Sequence, residues 1–251
     1  MWLLDPEESD AERVAWCLHV LSAEESARQK RLLRSADGEL FALAHGFKRA
    51  VLSRYGTVAA GEWRFAEGAE GRPEITHPAA PEGLRFNISH TRGLIAVLLH
   101  GERDAGVDVE RLGRVDDTTS LSRRFFTAEE RDALLALPPP ERELRFYRYW
   151  TLKEAYVKAR GLGLALNLKK IWFDVGNPSR IAIHCSDDLD DDASDWTFQT
   201  WEIGNRHVLA AAARRTASGR ARSIRILHAA APTSAREERD QSATASGVSK
   251  P

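Results

Sequence analysis

Sulfur is scarce: there are 2 cysteines and 1 methionine in 251 residues. Cys17 and Cys185 stand far apart and form neither a C-x-x-C pair nor a zinc-ligand spacing. They cannot build a disulfide framework, so a reducing, cytoplasmic setting is expected. Long apolar runs are missing too. The longest, Leu94 to Leu99, falls far short of the about 20 residues that a membrane-spanning helix needs. The start, Met1-Trp2-Leu3-Leu4-Asp5-Pro6, turns acidic at once and does not read as a signal peptide. Net charge is nearly absent, with 36 Lys and Arg against 37 Asp and Glu. That excludes a global field drawing the chain to nucleic acid or an anionic membrane, so any anion site must be local. No P-loop and no G-x-S-x-G elbow occurs, and Gly161-Leu162-Gly163 follows a helical pattern instead of opening one. The acidic run Asp187 to Asp195 lacks the glycine and closing glutamate of a calcium loop and is expected to be a solvated hairpin loop.

What is present suits a globular chain: 43% hydrophobic and 29% charged residues, enough for one large domain or two small ones sharing a core. Apolar residues recur at helical spacing from Glu24 to Ser53, and Asp37-Gly38 marks an expected break. The reading is a short basic helix, Ser26 to Arg34, and a longer one, Glu39 to Tyr55. Trp63 to Phe65, Leu84 to Ile88, Leu94 to Leu99 and Gly106 to Leu112 read as strands, with a turn at Ser89 to Gly93 and loops at Gly71-Arg72-Pro73 and Pro78 to Pro81. In the second half, Thr127-Ala128-Glu129-Glu130 is a capping box opening a helix to Leu137. A long helix, Glu141 to Arg160, follows and ends at Gly161, where a left-handed cap places glycine. Strands are expected at Ile171 to Val175, Ile181 to Cys185, Trp196 to Ile203 and His207 to Ala213. Helices then strands, twice over, suggest an α+β fold with two similar halves. From about Thr216 the composition shifts to Ala, Ser, Arg and Glu, and Pro232 to Pro251 read as a disordered tail.

Four blocks carry chemistry. In Gly106-Val107-Asp108-Val109-Glu110 a period of two puts both carboxylates on one strand face, about 7 Å apart, where they can converge on one hard cation. By itself that alternation is also what any half-buried strand shows. In Trp150-Thr151-Leu152-Lys153-Glu154-Ala155-Tyr156-Val157-Lys158-Ala159, a helical wheel places Leu152, Ala155, Tyr156 and Ala159 on one stripe and Glu154 and Lys158 opposite. An exposed ion pair would look the same. Phe86-Asn87-Ile88-Ser89-His90-Thr91 offers a hydroxyl and an imidazole that suit phosphate oxygens; neighbours on a strand face opposite ways, so they are no nucleophile–base pair. The last block is basic: Arg28-Gln29-Lys30-Arg31 with Arg34, and separately Arg72.

In order and spacing, Asn87-Ile-Ser-His-Thr, Gly106-Val-Asp-Val-Glu, Phe125-Phe-Thr-Ala-Glu-Glu and Trp150-Thr-Leu-Lys-Glu-Ala-Tyr-Val-Lys resemble the surfactin-type (Sfp-type) 4'-phosphopantetheinyl transferases. The resemblance covers roughly Arg28 to His207. It implies an α+β pseudo-dimer of two similar α/β-sandwich halves in one chain, with the active site in the cleft between them. Residues 1–105 would be the coenzyme A half, 106–215 the magnesium half and 216–251 a mostly disordered tail. It implies a monomer that moves the phosphopantetheine arm of coenzyme A to a serine of an apo acyl or peptidyl carrier protein, releasing 3',5'-ADP. Asp108, Glu110 and Glu154 would hold Mg²⁺. Lys158, Ser89 and His90 would meet the phosphates, and Arg28, Arg31 and Arg72 the 3'-phosphate and adenine side. Arg72 stands where the family often has lysine. Glu130 is a further candidate near the metal, and Glu154, Glu130 or a metal-bound hydroxide could take the serine proton. Fatty-acid, polyketide, nonribosomal-peptide and aminoadipate-type carriers all fit. The alternatives are a non-catalytic coenzyme A or carrier-binding module of the same fold and a magnesium-dependent phosphohydrolase.

Overall fold

The computed structural model describes residues 1–68, 72–80, 83–101, 104–115, 117–177 and 180–228. The expected tail Pro232 to Pro251 lies outside them, as do Gly71 and Pro81 of the expected loops.

Strand β5 (Leu94–His100) shows best why the layers form as they do. Its residues are apolar on both faces, as a strand covered on both sides must be. Ile95 and Val97 pack with Leu43, Ala44, Phe47 and Val51 of helix α3 (Ser35–Ser53), while Leu94, Ala96 and Leu98 face Val107, Val109 and Leu209. Val107 and Val109 lie on β6 (Ala105–Arg111), and Leu209 on β10 (His207–Arg214). The other side of β10, Val208, Ala210 and Ala212, packs with Leu152, Ala155, Tyr156 and Ala159 of helix α6 (Pro139–Arg160). The order of layers is therefore α3, sheet, sheet, α6: two α/β halves packed sheet to sheet, an α+β fold.

The first sheet runs β11-β1-β5-β4, where β1 is Trp2–Leu4, β4 is Arg85–Thr91 and β11 is Leu227–His228. All its pairs are antiparallel except β1 with β11. The second runs β6-β10-β9, antiparallel throughout, with β9 at Trp196–Ile203. Two ribbons complete the set: β2 (Arg64–Glu67) with β3 (Pro73–His77), and β7 (Ile171–Asp174) with β8 (Ala182–Cys185).

Several local expectations are corrected. Helix α2 (Ala23–Lys30) opens on a Ser22–Glu25 capping box, and the break before α3 falls at Arg31 to Arg34, not at Asp37-Gly38. Gly38 sits inside α3, where a Cβ would come within 2.9 Å of Gln29 Nε2 on α2; close helix packing, not a break, explains the glycine. Helix α1 (Ala11–Val20), capped by Asp10, was not expected because only Cys17 and Val20 on it are buried. The same holds for α4 (Thr118–Phe125), which buries only Ser122. Ser89 to Thr91 continue β4, so the turn shrinks to Arg92-Gly93, with Gly93 at φ +82°. Pro73 opens β3 instead of lying in a loop. The acidic run is not merely solvated. The Asp191 carboxylate accepts from Tyr156 and Trp196 and pairs with Arg160 and Arg214, tying the loop to α6. Helix α5 (Ala128–Leu135) forms on its capping box as expected, and Gly161 ends α6 at φ +63°.

Gly106 decides how close the two layers of the second half, the β6 sheet and α6, come. A Cβ there would lie 2.2 Å from Ala155 O and 2.5 Å from Ala159 N, both backbone atoms of α6. Gly106→Ala must push β6 and α6 apart. Overpacking of that kind costs about 1–3 kcal/mol, or a fall of roughly 5 °C in melting temperature. A displacement near 1 Å between the groups those elements carry lowers turnover about 100-fold. Thermal melts and turnover of the variant check this; wild-type values for both would mean the close approach is not made.

Candidate active site

The edge of β6 that β10 leaves free lies against β4. Two side chains of β4, spaced two apart and so on one face, satisfy its backbone: Val107 N–H donates to Asn87 Oδ1 (2.9 Å) and Val109 N–H to Ser89 Oγ (3.3 Å). This seam carries Asp108 into the space between the layers. Ser89 donates to Asp108 Oδ1 at 2.9 Å, and the Lys158 ammonium donates to both Asp108 Oδ1 (2.6 Å) and Ser89 Oγ (3.0 Å). The other carboxylate oxygen, Asp108 Oδ2, is buried and has no hydrogen-bond partner among the described residues.

Glu110, two residues on, points the same way and is bound by Arg114 at 3.0 Å. Burial, and then the charge of Asp108, push its carboxyl up to about 7. Glu154 of α6 is raised by the same two causes in the same order. Asp108 is therefore the shared neighbour of the other two expected metal residues. Among the described residues no three His, Cys, Asp or Glu side chains are closed up to metal-ligand distances. Lys158 holds the inner oxygen of Asp108 instead.

Glu154 and Lys158 open onto a cavity of about 580 Å³, whose walls include Phe125, Trp150, Val157 and Leu168 with Arg72 and Arg124. Arg72 reaches α6 from the other half: it donates to Ala159 O (3.2 Å), near the negative end of the helix dipole, and faces Asp104 at 3.6 Å. His90 has an exposed face on the same strand as Ser89. The crowding around its ring, then His45, Lys158 and Arg28, depress its pKa below the ordinary histidine range. Arg31 is the exposed C-cap of α2.

The profile of the 4'-phosphopantetheinyl transferase superfamily matches residues 104–212, the segment from β6 to β10. The 4'-phosphopantetheinyl transferase HetI of Nostoc sp. is 36% identical over 162 residues, covering 64% of this chain and 67% of that one. The 4'-phosphopantetheinyl transferase pptA of Paxillus involutus is 33% identical over 218 residues, 79% of each chain. The chain belongs to the 4'-phosphopantetheinyl transferase superfamily. It is an enzyme of that class, whose members move phosphopantetheine onto carrier proteins. The transferase Sfp of Bacillus subtilis is 27% identical over 193 residues, 77% of this chain and 82% of that one. No helix among the described residues is long and apolar enough to cross a membrane.

In this transferase two expected site residues are engaged in the fold. Glu130 is fully buried: Oε2 pairs with Lys153 at 2.8 Å and accepts from Thr127 N–H, and Oε1 accepts from Phe173 N–H at 3.1 Å. All of these partners belong to the fold, and Glu130 is not among the residues that line the cavity. The Ser89 hydroxyl donates once and accepts twice, so it is saturated and positions Asp108 and Lys158. One residue was missed: Asn87 was visible in its block, but its strand-edge role needs the approach of β4 to β6.

Proposed function

We propose that this transferase takes the 4'-phosphopantetheine arm from coenzyme A, places it on a serine of an apo acyl or peptidyl carrier protein and releases 3',5'-ADP. The observation that carries this is the buried, unpartnered Asp108 Oδ2 flanked by Glu110 and Glu154 at a cavity lined by Lys158. Three hard carboxylates, two of them raised by burial and by the charge of the third, Asp108, fit Mg²⁺, with Asp108, Glu110 and Glu154 as the residues that would hold it. When bound, the ion would supply charge stabilisation on the phosphoryl oxygens.

The chain's own residues do the rest. Lys158, 28% exposed and already donating in two directions, turns its ammonium to the pyrophosphate and balances charge on the departing 3',5'-ADP. Ser89 holds Asp108 and Lys158 in place while this happens. His90 and Arg28 face the phosphates farther along the cleft, and Arg72 joins the coenzyme A half, residues 1–105, to the magnesium half, residues 106–215. The apolar walls exclude water, which would otherwise compete with the carrier serine. Glu154 is the expected base candidate that lines the cavity. Both sides of the cleft come from one chain, which supports a monomer, and the two free cysteines support a cytoplasmic setting. The deciding experiment incubates the protein with coenzyme A, Mg²⁺ and an apo carrier and weighs the carrier. A gain of one phosphopantetheine arm supports the reading; coenzyme A binding without transfer would make the protein a binding module instead.

The carrier partner presents an acidic helix beside its serine, as the family resemblance implies. The segment from Leu112 to Phe126, with Arg111 just before it, follows the Asp108 strand and offers Arg111, Arg114, Arg123 and Arg124 beside Leu121, Phe125 and Phe126 to meet it. Of these, Arg111 faces Glu7 at 3.9 Å and Arg114 binds Glu110. Phe126 is core, and Leu121 packs against it. Arg123 and Arg124 remain, with Arg124 over the Phe125 ring at 5.0 Å on the cavity wall. Arg123→Glu with Arg124→Glu is expected to raise the Michaelis constant for the carrier about tenfold while leaving that for coenzyme A within twofold. An unchanged carrier constant would move the docking face elsewhere.

A further inference from the structure

The loop that leaves β6 is fastened at each of its first four residues. Leu112 N–H donates to Arg206 O at 2.8 Å, and Gly113 N–H to Glu143 Oε1 at 2.7 Å. The next two, Arg114 and Val115, both donate to the phenol oxygen of Tyr147, each at 3.0 Å. Four successive backbone donors thus find acceptors, three of them on two side chains of α6 that stand four apart and share one face. Tyr147 is only 1% exposed and belongs to the core of the second half, against which Leu112 and Val115 also pack. A buried phenol that accepts two bonds from one loop is an anchor, because removing its oxygen strands both donors.

What the loop carries gives the fastening its use. Arg114 turns back on the strand and grips Glu110 with two bonds, Nε to Oε2 at 3.0 Å and Nη2 to Oε1 at 3.2 Å. The Arg114 side chain is 59% exposed, so packing does not keep it there; the backbone it hangs from does. A carboxylate has about four lone-pair sites, and a fork of this kind takes one on each oxygen. The second site of each oxygen stays open while rotation of the carboxylate about its stem is arrested. Carboxylates that ligate metals are held from behind in this way, and losing such a partner weakens metal binding about 10- to 100-fold.

We propose that Tyr147 is a positioning residue for Glu110: by anchoring the loop 112–115 it holds Arg114 in the fork that fixes that carboxylate for the ion. Glu143 assists from the same helix face at Gly113. This rests on the reading of Asp108, Glu110 and Glu154 as the residues that would hold Mg²⁺. Tyr147 is not among the residues that line the cavity, so its effect passes through Arg114.

Tyr147→Phe removes one oxygen and keeps the ring in the core. The full chain is titrated with Mn²⁺, a paramagnetic substitute for Mg²⁺, and the free-ion signal in electron paramagnetic resonance gives Kd. The expected result is about tenfold weaker Mn²⁺ binding in Tyr147→Phe and in Arg114→Ala. The double variant weakens no further than Arg114→Ala alone, since both changes break one line of contacts. In carrier modification the Mg²⁺ concentration at half-maximal rate rises about tenfold, while kcat at saturating Mg²⁺ and KM for coenzyme A stay within about threefold. Wild-type Mn²⁺ affinity in Tyr147→Phe, with kcat lowered equally at every Mg²⁺ concentration, would mark a tyrosine that serves the fold alone and overturn the assignment. So would a double variant weakened by the full product of the two single effects. Wild-type protein that binds Mn²⁺ and modifies the carrier keeps the functional reading intact even then, whereas wild type that does neither removes the reading and the assignment together. If Tyr147→Phe melts well below wild type, Glu143→Ala is measured by the same comparison with Arg114→Ala and decides.

Discussion

Asp108→Asn is expected to lower turnover about a thousandfold while melting at or slightly above the wild-type temperature. The side chain keeps its shape and still accepts from Ser89 and Lys158, so the seam between β4 and β6 survives. What disappears is charge. Asp108 is the neighbour that raises both Glu110 and Glu154, so removing it relieves repulsion between buried carboxylates. The fold loses nothing it needs. The reaction loses the oxygen left without a partner and the anion to which both other carboxylates are coupled, a loss comparable to removing a key electrostatic group from an active site. Near-wild-type turnover at limiting Mg²⁺ would show that Asp108 does not hold the ion.

Lys153→Met should do the reverse and unfold the protein readily. Lys153 and Glu130 are each fully enclosed and 2.8 Å apart, and Lys153 also donates to Leu168 O (2.7 Å) and Ile171 O (2.6 Å). Removing the ammonium strands a buried carboxylate and two carbonyls. Breaking one partner of such a pair costs about 3–5 kcal/mol, equivalent to roughly 10–15 °C for a chain of this size. Adding Glu130→Leu to Lys153→Met removes the stranded charge and should recover part of the loss, though not the two carbonyl bonds. Melting temperatures of the single and double variants check this. If Glu130→Gln instead kept its melting temperature and abolished turnover, Glu130 would belong to the chemistry after all.

Those two carboxylates explain how far the sequence could be read. Alternation placed Asp108 and Glu110 on one face of β6, and the helical wheel placed Glu154 and Lys158 opposite the buried stripe of α6; both patterns are local, and both appear in the fold. Glu130 stood in an equally suggestive block, but its use is decided by Lys153 and Phe173, which only tertiary packing brings to it. Gly106 was legible as part of a motif, yet its reason is the α6 backbone it touches, more than forty positions later. Helices α1 and α4 escaped because each buries too little to print a period on the sequence.

The triangle of Ser89, Asp108 and Lys158 also has a meaning for the chain as it is being made. Its corners are separated by 19, 50 and 69 positions, and each comes from a different element. A nascent chain that has emerged only as far as β6 already holds α2, α3 and β4, with Ser89 in place. It carries the carboxylates of β6 without the ammonium that binds one of them, and β6 still lacks its strand partner β10. Until α6 has left the ribosome, such a chain has one side of the cleft and an exposed pair of acids, and it has no means of joining them into a working centre.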